Sequence, residues 1–275
     1  MNKKRDKRRF SEEMEVKICS LYKEGLSSSQ IANLLKIKES KIYYVLKLNE
    51  IQTRDASSPF YKKNIVNDSF FKKIDEEEKA YFLGFLCADG YLLKRDNCVK
   101  LELQLLDAHI VKRFAELLFP KERYLLIRNN SIRMTAFSKE LYENLENFGL
   151  HQRKSLTLKF PPENSIPDNL MNHFIRGVFD GDGCMYHTLK QGVRQKGYFQ
   201  ITGSKDFLNG VLDRLEGITG KRVKIYQPKN NNAWEFRFVS PIDIKNIYEY
   251  LYDNATIFLE RKKEKFSTFL KRSKL

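Results

Sequence analysis

Two segments of the chain end in nearly the same way: Ala80 to Gly90 reads AYFLGFLCADG, and His173 to Gly183 reads HFIRGVFDGDG. Each is an apolar helical pattern closing on Asp-Gly. Asp89 and Asp182 stand 93 residues apart, so a supersecondary unit is repeated and each copy delivers one carboxylate to a shared pseudo-twofold axis. In both copies small residues fall four apart on one helical face, Gly84 with Ala88 and Gly177 with Gly181, a spacing that lets two helix backbones approach closely. Helices crossing there make the two aspartates neighbours at their C-terminal ends, where unpaired carbonyls and the negative pole of each macrodipole also favour a cation. Two carboxylates that close repel unless a proton or a divalent ion intervenes. All-oxygen ligation suits Mg²⁺ better than Zn²⁺. Gly90 and Gly183 sit where left-handed C-caps would end the helices.

The pattern around the motifs repeats as well. Asp75 to Gly90 reads as a helix, Tyr91 to Leu106 as a hairpin, Asp107 to Phe119 as a helix, Tyr124 to Phe137 as a hairpin and Ser138 to Gly149 as a helix. The second copy follows in the same order. Ile166 to Gly183 is a helix, Met185 to Thr202 a hairpin, Lys205 to Gly217 a helix, Arg222 to Val239 a hairpin turning at Asn230 to Asn232, and Pro241 to Asp253 a helix. The strands alternate as half-buried strands do: Val99, Leu101, Leu103 and Leu105 against Lys100, Glu102 and Gln104, and Val223 and Ile225 against Arg222, Lys224 and Tyr226. The expected fold class is α+β, two pseudo-symmetric αββαββα repeats spanning residues 75–160 and 161–275, the latter with a basic C-terminal tail.

A separate domain precedes the repeats, over residues 1–55, with a linker over 56–74. Ser11 caps a helix that bears Met14, Ile18 and Leu21 on one face and stops at Gly25. Ser28 to Leu35, apolar at Ile31, Leu34 and Leu35, is a second helix, and Glu39 to Asn49, with Ile42, Val45 and Leu46 inward, is a third. The segment GLSSSQIANLLKIKESKIYYVL resembles the helix-turn-helix of resolvase-like and homeodomain-like DNA-binding domains, whose last helix enters the major groove. That resemblance places Glu39, Ser40, Lys41, Tyr43 and Tyr44 near DNA. The alternative is a plain three-helix packing module.

Charge agrees with a polyanionic partner. The 275 residues carry 50 Lys and Arg against 35 Asp and Glu, a net charge of +15 with a pI near 9.5, and the excess is concentrated at the two ends. The four cysteines are scattered, with no Cys-x-x-Cys pair and no His at zinc-finger spacing, so neither structural zinc nor a disulfide framework is indicated. No apolar run approaches membrane-span length, and the basic start MNKKRDKRRF lacks the apolar region of a secretion signal. A cytoplasmic protein is the expectation. His109, His151, His173 and His187 read as surface or packing residues.

Phe82 to Gly90 (FLGFLCADG) and Ile175 to Gly183 (IRGVFDGDG) resemble the nine-residue motif of the LAGLIDADG homing endonucleases, and two motifs in one chain match the pseudo-dimeric members of that family. The resemblance covers roughly residues 75 to 265 and extends to GLHQRKSLTLKFP at Gly149 to Pro161 and FLERKKEKF at Phe258 to Phe266. It implies a monomeric, site-specific double-strand DNA endonuclease using Mg²⁺ or Mn²⁺, with a saddle of sheets on a long recognition site and short 3′ overhangs cut across the minor groove. Asp89 and Asp182 become the catalytic metal ligands, and Ala88 and Gly181 offer backbone carbonyls. Lys154 and Lys262 become the candidate basic residues at the scissile phosphates, with ordinary phosphate contact as the alternative. The first acidic motif position, Cys87 in one copy and Asp180 in the other, is not the principal ligand. Lys100, Gln104, Arg133, Lys190, Arg194, Lys196, Arg222, Lys224 and Arg237 on the strands join Lys41, Tyr43 and Tyr44 as expected DNA contacts. Two rival readings share the pattern: a non-enzymatic DNA-binding transcriptional regulator on the same scaffold, and an RNA-binding intron-splicing maturase.

Overall fold

The computed structural model describes residues 10–24, 26–51, 66–119, 125–190, 193–229 and 231–273, with the backbone alone at 187–190, 193–196 and 272. The chain divides into two units, Met1–Asn64 and Ile65–Leu275. The expected helix stop at Gly25 lies outside the described residues, as do 52–65, most of the expected linker. The rest of that linker is not loose: Asp68–Phe71 form a 3-10 turn that buries Phe70 and Phe71 in the larger unit.

The described residues of the first unit form three helices, α1 (Glu12–Lys23), α2 (Ser28–Leu35) and α3 (Glu39–Leu48). Ser11 caps α1 by accepting from the Met14 amide, and Ser27 with Gln30 closes a capping box on α2. Lys36 turns the chain between α2 and α3 in the left-handed region. Ile18, Tyr22, Ile31, Ala32, Ile42, Val45 and Leu46 form a core of their own. Leu34, expected on the apolar face, points out instead, and Ala32 takes the inner position.

The larger unit contains the two repeats. The first runs α4 (Glu77–Asp89), β1 (Tyr91–Leu93), β2 (Cys98–Gln104), α5 (Ala108–Leu118), β3 (Leu126–Arg128), β4 (Ser131–Phe137) and α6 (Lys139–Asn147). Its antiparallel sheet has the order β1-β2-β4-β3. The second runs α7 (Asp168–Asp182), β5 (Gly183–Lys190), β6 (Val193–Gly203), α8 (Lys205–Thr219), β7 (Trp234–Phe238) and α9 (Pro241–Tyr252), with the sheet order β5-β6-β7. One face of each sheet is apolar and covered by helices; Phe82 of α4 stacks on Phe114 of α5 at 4.5 Å, and Phe179 of α7 on Phe199 of β6 at 4.9 Å.

Two further expectations are corrected. The strand expected at 222–226 is not a ladder strand: only an isolated bridge joins Tyr226 to Glu235. Val223 and Ile225 still pack inward, but the Arg222 guanidinium is drawn back onto α8, where it donates to Asp213, Glu216 and Asn209. The basic C-terminal stretch is a helix, α10 (Glu260–Ser273), that buries Phe266, Phe269 and Leu270.

Arg176, in the middle of α7, is fully buried. A buried guanidinium needs every donor matched. Nε donates to the Ile257 carbonyl (2.9 Å), Nη1 to the Leu251 carbonyl and His173 Nδ1 (2.8 Å each), and Nη2 to Glu77 Oε1 (2.5 Å). Glu77 also accepts from the Thr256 amide and hydroxyl. This network ties the start of α4, the middle of α7 and the loop before α10 together. It also accounts for His173, which accepts from Arg176 and is held toward its neutral form by burial and by that guanidinium.

Candidate active site

The close crossing expected from the glycines is present. A Cβ on Gly84 would stand 2.0 Å from the Phe174 carbonyl oxygen, one on Gly177 2.0 Å from that of Tyr81, and one on Gly181 2.2 Å from Ala88 Cβ. The contacts run in register from Tyr81 with Gly177 to Ala88 with Gly181, so α4 and α7 run side by side and end together. The helices end without left-handed caps: Gly90 (φ −70°, ψ 141°) and Gly183 (φ −89°, ψ 160°) are extended. Glycine is required there for space, because a Cβ on either would stand 2.5 Å from the carbonyl oxygen of Leu86 or Phe179.

Each helix delivers its last residue to the same end. Asp89 and Asp182 are both open to solvent, and Asp89 Oδ2 lies 3.5 Å from the position of a Gly181 Cβ. The dense protein behind Asp182, together with the charge of Asp89, pushes its carboxyl up to about 6, against the pull of Lys154 and Lys262. Desolvation also raises Asp89, opposed by Lys262, Lys154 and Arg261. Both carboxyls are therefore costly to keep ionised where they stand, chiefly because of desolvation, a cost that a bound divalent cation would offset.

Lys154 and Lys262 are buried at this end, at 5% and 6% exposure, and desolvation lowers both, Lys262 to about 8. They are bonded unequally. Lys262 Nζ donates to the carbonyls of Phe179 (2.7 Å), Gly181 (3.0 Å) and Gly183 (2.7 Å), which uses all three of its hydrogens on the end of α7. Lys154 Nζ donates to the Ala88 carbonyl (2.9 Å), its single hydrogen-bond acceptor among the described residues. Both carbonyls expected to face a metal, Ala88 and Gly181, thus already accept from a lysine and keep one lone pair each.

The first acidic motif positions are structural. Asp180 is buried and accepts from the Leu259 amide (2.8 Å) and the Tyr81 hydroxyl (2.9 Å), fixing the chain as it enters α10. Cys87 in the other copy is a buried thiol pushed up to about 12 by burial, hence neutral. A pocket of about 150 Å³ opens beside Asp182, lined by Cys87, Ala88, Leu156, Ser204 and Phe207. Among the described residues no group of three or more His, Cys, Asp or Glu side chains is placed to hold a metal. A cation at this end could take the two carboxylates and the helix-end carbonyls, an all-oxygen set whose chemistry suits a hard divalent ion.

The sheet faces opposite the helices are polar and partly self-neutralised. On the first sheet Lys100 faces Thr135, Arg133 pairs with Glu102 (2.6 Å) and Gln104 is exposed. On the second, Arg237 donates to Glu235 (2.5 Å) and Gln200 (2.7 Å) and Tyr186 stacks on Tyr198, while Lys224, outside the sheet's strands, is exposed. Arg222 leaves the face for α8, as described. The side chains of Lys190, Arg194 and Lys196 lie outside the described residues. Lys41 and Tyr43 are exposed on α3 and Tyr44 is half-buried.

Sequence reasoning missed Glu77, Arg176, Asp180 as a structural group, and a bidentate pair between Arg261 and Asp107 (Nη2 to Oδ2, 2.8 Å) beside the site. The Arg-Lys dipeptide that recurs at 153–154 and 261–262 was a signal for the last of these.

No protein-family model matches the chain, and no curated protein does. Solved structures do. The chain is similar to the LAGLIDADG meganuclease I-AabMI bound to uncleaved DNA, at 13% identity over 73% of this chain and 92% of that one, with a TM-score of 0.52. It is similar to the I-LtrWI LAGLIDADG homing endonuclease bound to target DNA, at 12% identity over 76% and 92%, TM-score 0.51. A third is the meganuclease I-SmaMI bound to uncleavable DNA, at 14% identity over 74% and 89%, TM-score 0.50. No helix among the described residues is long and apolar enough to cross a membrane. The two repeats, αββαββα and αββαβα, joined at two parallel motif helices, have the fold of the LAGLIDADG homing endonucleases.

Proposed function

We propose that this chain is a site-specific double-strand DNA endonuclease that hydrolyses phosphodiester bonds with a divalent cation, Mg²⁺ or Mn²⁺, held between Asp89 and Asp182. One observation carries the reading: two helices packed glycine to backbone end together and present two solvent-open carboxylates beside two buried lysines. The solved structures of the same fold are meganucleases bound to DNA, and the net charge of +15 suits that partner.

Asp89 and Asp182, with the free lone pairs of the Ala88 and Gly181 carbonyls, would hold the cation, which when bound supplies Lewis-acid activation of water and neutralises charge on the leaving oxygen. The chain's own groups do the rest. The glycine crossing fixes the separation of the carboxylates, so that one duplex spans both. Lys154, with two N–H hydrogens uncommitted among the described residues, donates toward the charge developing on the phosphate. Lys262 compensates the carboxylates and holds the end of α7. Lys100, Gln104, Arg133 and Arg237 on the sheet faces, with Lys224 on the segment that precedes β7, contact the duplex on either side, and α3 of the first unit adds a second contact through Lys41, Tyr43 and Tyr44. Arg222 is not among these contacts.

A retired scaffold serving only as a regulator, or one serving RNA, gains nothing from two exposed, mutually repelling carboxylates, which oppose phosphate unless a cation offsets them. The test is incubation with a plasmid carrying the native flanking locus in Mg²⁺ or EDTA, alongside Asp89→Asn and Asp182→Asn. Cleavage in Mg²⁺ alone, lost in both variants, is the expected result. Metal-independent binding without a cut would overturn the reading.

A further inference from the structure

Both repeats are followed by an Arg-Lys pair, Arg153-Lys154 and Arg261-Lys262. The pairs are built differently. Asp107 occupies the N-cap position of α5 yet makes no cap hydrogen bond, although an aspartate there ordinarily accepts from the helix's own amides. Its buried carboxylate instead takes three contacts from Arg261, Nε to Oδ1 (3.0 Å) and Oδ2 (3.1 Å) and Nη2 to Oδ2 (2.8 Å). The matching position in the second repeat is Ser204, which does cap α8, accepting from the Phe207 amide (3.2 Å), and donates its hydroxyl to the Leu158 carbonyl.

Arg261 therefore ties the first turn of α10 to the first repeat, one residue before the ammonium that fills three carbonyls at the end of α7. A four-carbon side chain finds three acceptors at once only when its backbone is fixed, and a bidentate guanidinium fixes it in both distance and direction. In the first repeat that work falls to the Ser204–Leu158 bond. Arg153 is exposed, sits in the left-handed region at φ 62° and meets no hydrogen-bond or ion-pair partner among the described residues. A non-glycine residue held there is uncommon, and its neighbour Lys154 keeps two uncommitted hydrogens.

Resting on the nuclease reading for its DNA arm, we infer that the two Arg-Lys pairs have divided their work: Arg261, anchored on Asp107, is a positioning residue for Lys262, whereas Arg153 is free to bind a backbone phosphate of the duplex next to Lys154. Arg153 is thus a substrate contact with no equivalent in the second repeat.

Two measurements on the full chain test this. In the first, lysines are labelled with a small acylating reagent and read by mass spectrometry in wild type, Arg261→Gln, Asp107→Asn, Arg261→Lys and Arg153→Gln. Labelling of Lys262 rises several-fold in Arg261→Gln and Asp107→Asn, is partly restored to protection in Arg261→Lys, and stays low in Arg153→Gln, while Lys154 serves as internal reference. Unchanged Lys262, or Lys154 and Lys262 rising together, would overturn the positioning role. In the second, DNA affinity is followed against salt: Arg153→Gln flattens the slope by about 1. Arg261→Gln leaves the slope intact and slows cutting. An unaltered slope in Arg153→Gln would refute the phosphate contact. Wild type that binds DNA and never cuts would contradict the nuclease reading, with the labelling result still deciding the role of Arg261.

Discussion

Gly177→Ala opposes two effects of different sign and known size. An alanine in a helix interior is favoured over glycine by about 1 kcal/mol, so propensity alone predicts a more stable protein. The added Cβ, however, would stand 2.0 Å from the Tyr81 carbonyl oxygen and 2.8 Å from the Phe85 amide nitrogen. A carbon-to-oxygen contact needs about 3.3 Å, so α4 and α7 must part by roughly 1.3 Å in a core with no slack. Overpacking of this kind costs about 3 kcal/mol where the obstacle is backbone and cannot rotate away. The net loss of about 2 kcal/mol lowers Tm by roughly 4–8 °C for a unit of this length. The same displacement parts the aspartates and slows cleavage by about 100-fold. Gly217→Ala is the control, since nothing lies within 4 Å of its added Cβ, and it should raise Tm. Calorimetric melting and single-turnover cleavage read both effects. A Gly177→Ala protein that melts at or above wild type and cuts normally would refute the close crossing.

Lys262→Met leaves three helix-end carbonyls without their donor and should cost about 2 kcal/mol of stability, whereas Lys154→Met removes one bond, melts closer to wild type and loses more cleavage than stability; equal losses from both variants would contradict their unequal bonding. Asp182 has its folded pKa raised from 3.8 to about 6, so the folded state binds the extra proton between those values and metal-free stability falls as pH rises through that window, then levels. Asp182→Asn removes this penalty: its Tm advantage over wild type, without metal, should grow from pH 4 to 6 and stay flat above, and a constant offset would contradict the shift. Deleting residues 1–64 should shorten the DNA footprint and leave the cut position unchanged, because the larger unit has its own core; an unaltered footprint and affinity would remove the first unit from DNA recognition.

The helix crossing was legible because its cause is local: residues four apart on one face decide how near another backbone comes, and Gly84 and Gly177 stand at that spacing. Most elements followed from periodicity for the same reason. The strand at 222–226 failed because alternation reports burial, not hydrogen bonding; Val223 and Ile225 do turn inward, while acidic side chains of α8 hold Arg222 away from the face. Helix α10 was hidden by its charge, since its apolar residues Phe266, Phe269 and Leu270 cluster late in a lysine-rich stretch. At Gly90 and Gly183 the residue type was right and the reason differed, being space and not a positive φ. Pairs such as Asp107 with Arg261, 154 positions apart, leave no periodic trace, because a side chain joining two repeats depends on how those repeats dock.

The account rests on Asp89 and Asp182 sharing one site, and NMR titration with selectively ¹³C-labelled aspartate carboxyls measures this directly. In wild type the Asp182 resonance, assigned through Asp182→Asn, should titrate at about 6. It should move to lower pH in Asp89→Asn, because the neighbouring charge that raises it has gone, and Mg²⁺ should depress the titration in wild type. An Asp182 titration indifferent to Asp89→Asn and to Mg²⁺ would mean that the two carboxylates do not meet.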